Sequence, residues 1–362
     1  RNKYHDMYQT SLEKEVESHT SGDYKKALLK TIAVWGEKDN EDSKKSKENR
    51  ATSAENKSAD KKTEDETAVK LHKAINGLET NAEAVIEIIA KCSNSERQNL
   101  KQRYHDLYKK DLVKDLTSRL SGDFETTAVD LMMPPVEFDA HFLHEALASP
   151  SDGITLISIL FSKTTAQLEE IKTVYKTAYK KDLESDIKKD MKGDLSELLL
   201  QLVHRKDDKN SKVTKDKSES DAKAVHEKPT FENLKQIFVK SSKEQIVATI
   251  EAHKKLYKED IVESIKKANV ENDNGDIEAA YIAMAEILQD ETMFYAKRIN
   301  HILTGLDTTK TLLIRLIISR SEVDLSAIKA RYAQLYGRDL KDTLESGDIK
   351  DYKKILDIII YN

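Results

Sequence analysis

The sequence predicts an all-α protein built from a helical unit of about 70 residues that recurs along the chain. Three observations predict it. Ten glycines and four prolines are spread over 362 residues, too few to close the turns of a sandwich, barrel or propeller or to supply the phosphate turns of a doubly wound α/β fold. Gly-Asp pairs recur at 22, 122, 193, 275 and 347, and removing two charged inserts brings their spacing near 70. Upstream of four of these pairs lie a tyrosine helix and an aspartate followed by an apolar residue. These are Tyr104/Tyr108 with Asp111-Leu112, Tyr175/Tyr179 with Asp182-Leu183, Tyr257 with Asp260-Ile261, and Tyr332/Tyr336 with Asp339-Leu340.

Taken in order, one unit reads as five helices. A first helix covers 65–76. Ala84, Val85, Ile88 and Ile89 form the apolar stripe of the second. Ser93 or Ser95 caps the third, and Leu100, Tyr104 and Leu107 keep its period. Asp111 caps the fourth, with Leu112, Leu116 and Leu120 on one face. Gly122 ends it, and Asp123 caps a fifth that Pro134-Pro135 stops. "LLIRLIISRS" (312–321) is apolar on most faces, so it should be the buried central helix of its unit. Full units are expected at 65–135, 136–204, 229–289 and 290–362. "YHDMY" at 4–8 echoes "YHDLY" at 104–108, so residues 1–35 read as the second half of another unit.

Two stretches read as linkers. Residues 36–67 hold 18 charged residues in 32, with no aromatic, Ile, Leu, Val or Met. Residues 205–228 hold 14 charged in 24. Neither composition offsets the entropy of ordering.

Charge and cysteine content narrow the function. The net charge of −5 recruits neither nucleic acid nor anionic lipid by a global field. A lone cysteine, Cys92, forbids an internal disulfide and fits a reducing, cytoplasmic compartment. The strongest apolar run, Ile154–Phe161, is far short of the roughly 20 residues that span a bilayer. A chain starting at Arg1 without methionine suggests an N-terminally incomplete or processed one. His141 and His144, at i, i+3 beside Asp139 and Glu145, could hold zinc, although a half-exposed helix face is the simpler reading. Ser162 and Ser319 have no His-Asp partners at a recognisable spacing, so no enzyme is expected.

The five-helix unit resembles the annexin repeat. The resemblance rests on "RYAQLYGRDL" (331–340), the "SGDY/SGDF" turns and "ILTGLDTTKTLLIRLIISRSEVDLSAIKARY" (302–332), which is similar to the first loop and second helix of a fourth annexin repeat. Sparse glycine, degenerate loops and mixed-charge inserts look like the divergent protist branch, the alpha-giardins. The resemblance implies four full repeats plus a partial N-terminal one, with 205–228 at the family's longest connection. It also implies calcium bound by a Lys-Gly-x-Gly-Thr loop between the first two helices and an acid about 40 residues after the second glycine.

Against that pattern no repeat is whole. In the first, Gly77 is kept, the carbonyls of Asn76 and Leu78 are available, Glu79 replaces the second glycine, and Arg119 stands where the acid belongs. The second has Asp190 as the acid but Pro150 in place of a glycine. The third, "HEKPT" at 226–230, has no glycine, and its acid position falls near Asn272. The fourth keeps Gly305 and Thr308, with Thr304 and Leu306 carbonyls, Asp307, and Glu345 or Asp348 as the later acid. The resemblance therefore implies weak, lipid-assisted calcium binding, best in the fourth and first repeats. The implied function is peripheral binding to anionic phospholipid membranes, linking membrane and cytoskeleton. The alternative is a calcium-independent structural repeat protein with vestigial loops, tied to cytoskeletal filaments or microtubules as in flagella.

Overall fold

The computed structural model describes residues 63–148, 153–205, 212–268, 276–304, 310–346 and 350–361. The chain divides into two units, 1–68 and 69–362. Of the first, only the opening of a helix at 63–68 is described. The expected partial repeat at 1–35, and residues 36–62 of the first expected linker, lie outside the described residues.

The described residues contain helices and no strand. The first repeat comprises α1 (63–76), α2 (Ala82–Ala90), α3 (Asn94–Tyr108), α4 (Leu112–Arg119) and α5 (Gly122–Met132). The second comprises α6 (Pro135–Ala148), α7 (Gly153–Ser162), α8 (Thr165–Tyr179), α9 (Leu183–Asp190) and α10 (Gly193–Val203). The third begins with α11 (Lys215–Glu227), α12 (Phe231–Phe238), α13 (Lys243–Tyr257) and α14 (Ile261–Ile265). The long helix α15 (Asp276–Thr304) breaks at Asp290, φ −161°, and so supplies the fifth helix of the third repeat and the first of the fourth. α16 (Lys310–Ser321), α17 (Leu325–Tyr336), α18 (Leu340–Ser346) and α19 (Lys350–Tyr361) complete the fourth.

Two boundaries differ from the sequence expectation. The first helix is already formed at 63, the first described residue there, two residues ahead of the expected 65 and inside the expected linker 36–67. Residues 205–228 were expected to be a linker, and the third repeat to start at 229, yet 215–227 are helix α11. Ser218, Ala222 and Val225 form its buried stripe, and i,i+4 ion pairs Lys215–Glu219, Lys217–Asp221 and Lys223–Glu227 support the exposed side. A charge count hides so narrow a stripe.

The end signals act locally. Ser93 caps α3 in a reciprocal box with Glu96. Asp111 accepts from the Lys114 amide at 3.0 Å to start α4. The third helix of every repeat ends in a left-handed residue: Lys109, Lys180, Lys258 and Gly337. Gly122 and Gly193 also take positive φ, +58° and +62°, a conformation that costs a side chain energy. Gly122 opens α5 and Ser121 takes the cap position, so Asp123, the expected cap, lies two positions inside it, in the first turn.

Within a repeat the first helix packs on the third and the second on the fifth, as in α6 on α8 and α2 on α5. Repeat 4 packs on repeat 1 through α19 against α2, and α15 packs on α7 of repeat 2. As expected, α16 is a buried centre: Leu313, Ile314, Leu316 and Ile317 are enclosed, together with Arg315 and Arg320.

Candidate calcium turns and the network behind them

The turn between the first two helices of repeat 1 is short and held from behind. The Asn81 amide donates to Ala74 O at 2.9 Å, and Thr80 Oγ1 donates to Ile75 O at 3.1 Å. Asn81 Oδ1 then caps α2 by accepting from the Ala84 amide. A Cβ at Gly77 would sit 2.9 Å from the Lys73 carbonyl oxygen, so only glycine fits this close backbone approach. Leu78 is fully exposed and Glu79 is exposed beside it. The Asn76 side chain turns inward, donating to Tyr104 Oη at 3.2 Å and lying 3.5 Å from Asp115. Arg119 is exposed at the end of α4.

In repeat 2 Asp190 is exposed at the end of α9, where Lys189 Nζ meets it at 2.8 Å. Pro150 and its turn lie outside the described residues. In repeat 3 the turn is spent on itself: the Lys228 carbonyl accepts from the Thr230 amide and from Asn233 Nδ2, both at 2.8 Å. In repeat 4 Thr304 ends α15, its hydroxyl donating to Asn300 O at 2.8 Å. Leu306, Asp307, Asp348 and Gly305 lie outside the described residues, and Glu345 is placed in α18 by its backbone alone. Among the described residues no group of three or more His, Cys, Asp or Glu is arranged to hold a metal. The repeat 1 turn thus offers carbonyl oxygens and the Glu79 carboxylate, with a cation at the position of the expected second acid. Calcium takes 6–8 oxygens, so this donor set fits it only with oxygens added from outside the protein.

Each repeat carries a buried polar network, of which the sequence displays only a constant step of 11 residues. A ring on the third helix bonds a residue 11 positions later on the fourth. Tyr104 Oη donates to Asp115 Oδ2 at 2.8 Å, and Tyr175 Oη to Asp186 Oδ2 at 2.8 Å. Tyr332 Oη reaches Thr343 Oγ1 at 3.1 Å, and His253 Nε2 lies 3.0 Å from Ser264 Oγ. The first helix of each repeat adds a third member: Asn76, His144, His226 and Asn300. Burial and the Asp115 bond push the Tyr104 hydroxyl far above the usual range, so it stays a donor.

A second network joins repeats 1, 2 and 4. Arg315 Nε reaches Asp130 Oδ2 at 3.3 Å, and its other nitrogens approach His141 Nε2 and Glu145 Oε2 at 3.3 and 3.6 Å. His141 Nδ1 lies 3.0 Å from Tyr179 Oη, and His144 stacks on the Tyr179 ring at 3.8 Å. The histidine pair is half-exposed, as expected, and is engaged by Arg315, Tyr175 and Tyr179. Burial raises the Asp130 carboxyl to about 6 against the pull of Arg315, and lowers the His141 imidazole with the help of that cation. Glu322 of repeat 4 pairs with Arg97 and accepts from the Asn94 amide at the start of α3. The Ser162 and Ser319 hydroxyls donate to carbonyls one turn back, Ile159 and Leu316.

The annexin family model matches residues 1–31, 66–131, 138–202 and 294–357. The unit at 215–289 is outside those matches yet carries the same five helices. Annexin A13 of Homo sapiens is 34% identical over 304 residues, 82% of this chain and 95% of the relative. The structure of a point mutant of annexin A8 superposes with a TM-score of 0.75 at 31% identity, covering 83% of this chain and 95% of that one. Calcium-bound alpha-1 giardin superposes at 0.67 with 20% identity, over 82% of this chain and 98% of that one, a likeness of fold.

Proposed function

The chain belongs to the annexin family, and from that premise we propose that it binds anionic phospholipid membranes peripherally, under calcium control, through the turns between the first two helices of its repeats. Calcium-dependent phospholipid binding is general to the family. The observation that carries the reading for this chain is the repeat 1 turn. It is braced from behind, kept glycine-tight at Gly77, and presents an exposed Leu78 and the Glu79 carboxylate outward. Such a turn can share an ion with a lipid phosphate, which supplies the missing oxygens. In repeat 4 the carbonyls of Thr304 and Leu306, with Asp307 and either Glu345 or Asp348, form the stronger site by charge. Asp190 serves repeat 2 at most as a lone acid. Repeat 3, whose Lys228 carbonyl is already doubly engaged, takes no ion.

Weak sites of this kind belong near the roughly 10⁻⁴–10⁻³ M end of the calcium range. The described residues include no helix long and apolar enough to cross a membrane. Sedimentation with phosphatidylserine vesicles, with calcium and with chelator, tests the proposal. Binding should appear with calcium and reverse with chelator. Asp307→Ala should reduce it, and Arg119→Glu should increase it, because a fixed cation opposes a divalent one. If both variants sediment like the parent protein, the turns are vestigial and a calcium-independent scaffold, bound to cytoskeletal filaments, takes the place of this reading.

A further inference from the structure

A polar cavity of about 140 Å³ lies where α10 of repeat 2 meets α12 and α15 of repeat 3. Tyr281 forms one wall and is only 2% exposed, yet its hydroxyl has no hydrogen-bond partner among the described residues. Burial, and after it Asp194, Glu197 and Glu232, pushes that hydroxyl well above the usual range. Those three carboxylates line the same cavity, so the hydroxyl lies on the cavity side of its ring. Gln201 is a second wall: its Nε2 donates to Glu197 Oε1 at 2.9 Å, while its buried Oε1 meets no donor among the described residues. Half-buried Phe231 adds an aromatic wall, its ring centroid 6.2 Å from that of Tyr281. Among the described lining residues the one cation, Lys235, is paired with Glu197. Asp194 and Glu232 form no ion pair among the described residues, and each lies in the first turn of its helix, which keeps it ionised.

We propose that this cavity takes a guanidinium, presented by an arginine side chain of a partner protein. An unmet buried hydroxyl costs free energy that a ligand's hydrogen bond recovers. The ligand must bring N–H donors, because a quaternary ammonium would leave Tyr281 Oη and Gln201 Oε1 unmet. It must be cationic, because three carboxylates face one lysine. A metal ion does not suit the site, since among the described residues no group of three carboxylates is arranged to hold one. The space is several times what a single water or ammonium needs, and an aromatic face favours a flat, delocalised cation. A guanidinium offers five N–H donors in one plane, enough for Tyr281 Oη and the two unpaired carboxylates together. Asp194, Glu197 and Glu232 are all exposed, so the mouth is open to a side chain arriving from solvent. Neither calcium nor lipid takes part, so the pocket is independent of the membrane reading.

The test titrates the full chain, in chelator, with an acetylated and amidated glycine pentapeptide carrying one central arginine. The same peptide with lysine or uncharged citrulline, and free arginine, are the comparisons. Binding is followed through the methyl resonances of Ile277 and Leu198, which line the cavity. The arginine peptide should shift them saturably, the lysine peptide should bind several-fold more weakly, and the citrulline peptide at least about tenfold more weakly. Free arginine should bind more weakly than the peptide, because the acidic mouth repels its α-carboxylate. Tyr281→Phe, which keeps the ring, should weaken binding roughly tenfold, and so should the exposed pair Asp194→Asn with Glu232→Gln. Lys235→Gln should tighten it by releasing Glu197. Equal binding of the arginine and citrulline peptides, or parental binding by both Tyr281→Phe and the double carboxylate variant, would overturn the proposal. Free arginine binding more tightly than the peptide would assign the pocket to a small molecule and overturn the partner protein.

Discussion

Tyr104 shows how much a single hydroxyl organises. Its ring is fully enclosed, and its oxygen joins three helices by donating to Asp115 and accepting from Asn76. Tyr104→Phe keeps the packing and removes both bonds. It leaves a half-buried carboxylate with Lys110 and the longer contact from Asn76 as its remaining partners. A cost of about 1–3 kcal/mol follows from stranding such a group, readable as a lower urea midpoint at unchanged slope. Unchanged stability would mean that water replaces the tyrosine without loss. The sequence displays the tyrosines and their period, and Asp111 as a cap was legible because a cap acts within one turn. The hub was harder to see, because its three members come from three helices and their facing depends on how those helices cross. The constant step of 11 residues from Tyr104 to Asp115, and from Tyr332 to Thr343, was the available signal. The same distinction governs Asn76: its position in the turn is visible in the sequence, whereas the inward aim of its side chain is set by Tyr104.

At the scale of the element, the third repeat departs most from its siblings. Its first helix, α11, was hidden by composition: lysines, serines and acids surround a stripe of Ser218, Ala222 and Val225, and only tertiary packing makes that stripe decisive. Helices with broad stripes, such as α16, were legible for the converse reason. The repeat also replaces the hub tyrosine with His253, which is fully buried. Its neighbours are Ser264, the Glu259 carbonyl, the ring of Tyr257, and His226, whose ring lies 5.6 Å away and carries the Glu259 carboxylate 3.6 Å from Nδ1. Burial holds the His253 imidazole below the usual 6.5. Above about 6.5 both folded and unfolded chains are neutral there, and nothing is lost. As pH falls below 6.5 the unfolded chain accepts a proton that the folded one resists, so stability declines. The protection factors of amides in α11, α13 and α14, corrected for intrinsic exchange, should fall between pH 7.5 and 5.5. His253→Tyr should flatten that dependence. A variant with the same pH profile as the parent would show that the acid response arises elsewhere.

Across the whole molecule, Arg315 is the point where the fourth repeat holds the first two. Its guanidinium is buried against Asp130 of α5 and touches His141 and Glu145 of α6. Breaking one partner of a buried pair is far more costly than replacing the pair, because it strands a charge. Arg315→Met should therefore destabilise the protein by about 3–5 kcal/mol at pH 7.5, and adding Asp130→Asn should recover much of that loss. The pH dependence follows from the two shifted groups. Asp130 titrates at about 6, raised from 3.8 by burial, so its carboxylate penalty is present above 6 and is relieved as pH falls through 6 toward 3.8. Without Arg315 the opposing pull is gone, the carboxyl rises further, and relief begins nearer neutrality. His141 moves the same way: freed from the adjacent guanidinium, it protonates more readily and can stand in as the cation. The Arg315–Asp130 coupling measured by a double-mutant cycle should accordingly be large at pH 7.5 and much smaller at pH 5.5. The acid response of His253 is common to all four proteins in the cycle and cancels. A coupling that stayed constant over that range would place the Asp130 carboxyl at its ordinary value and remove the inter-repeat pair from any account of acid stability.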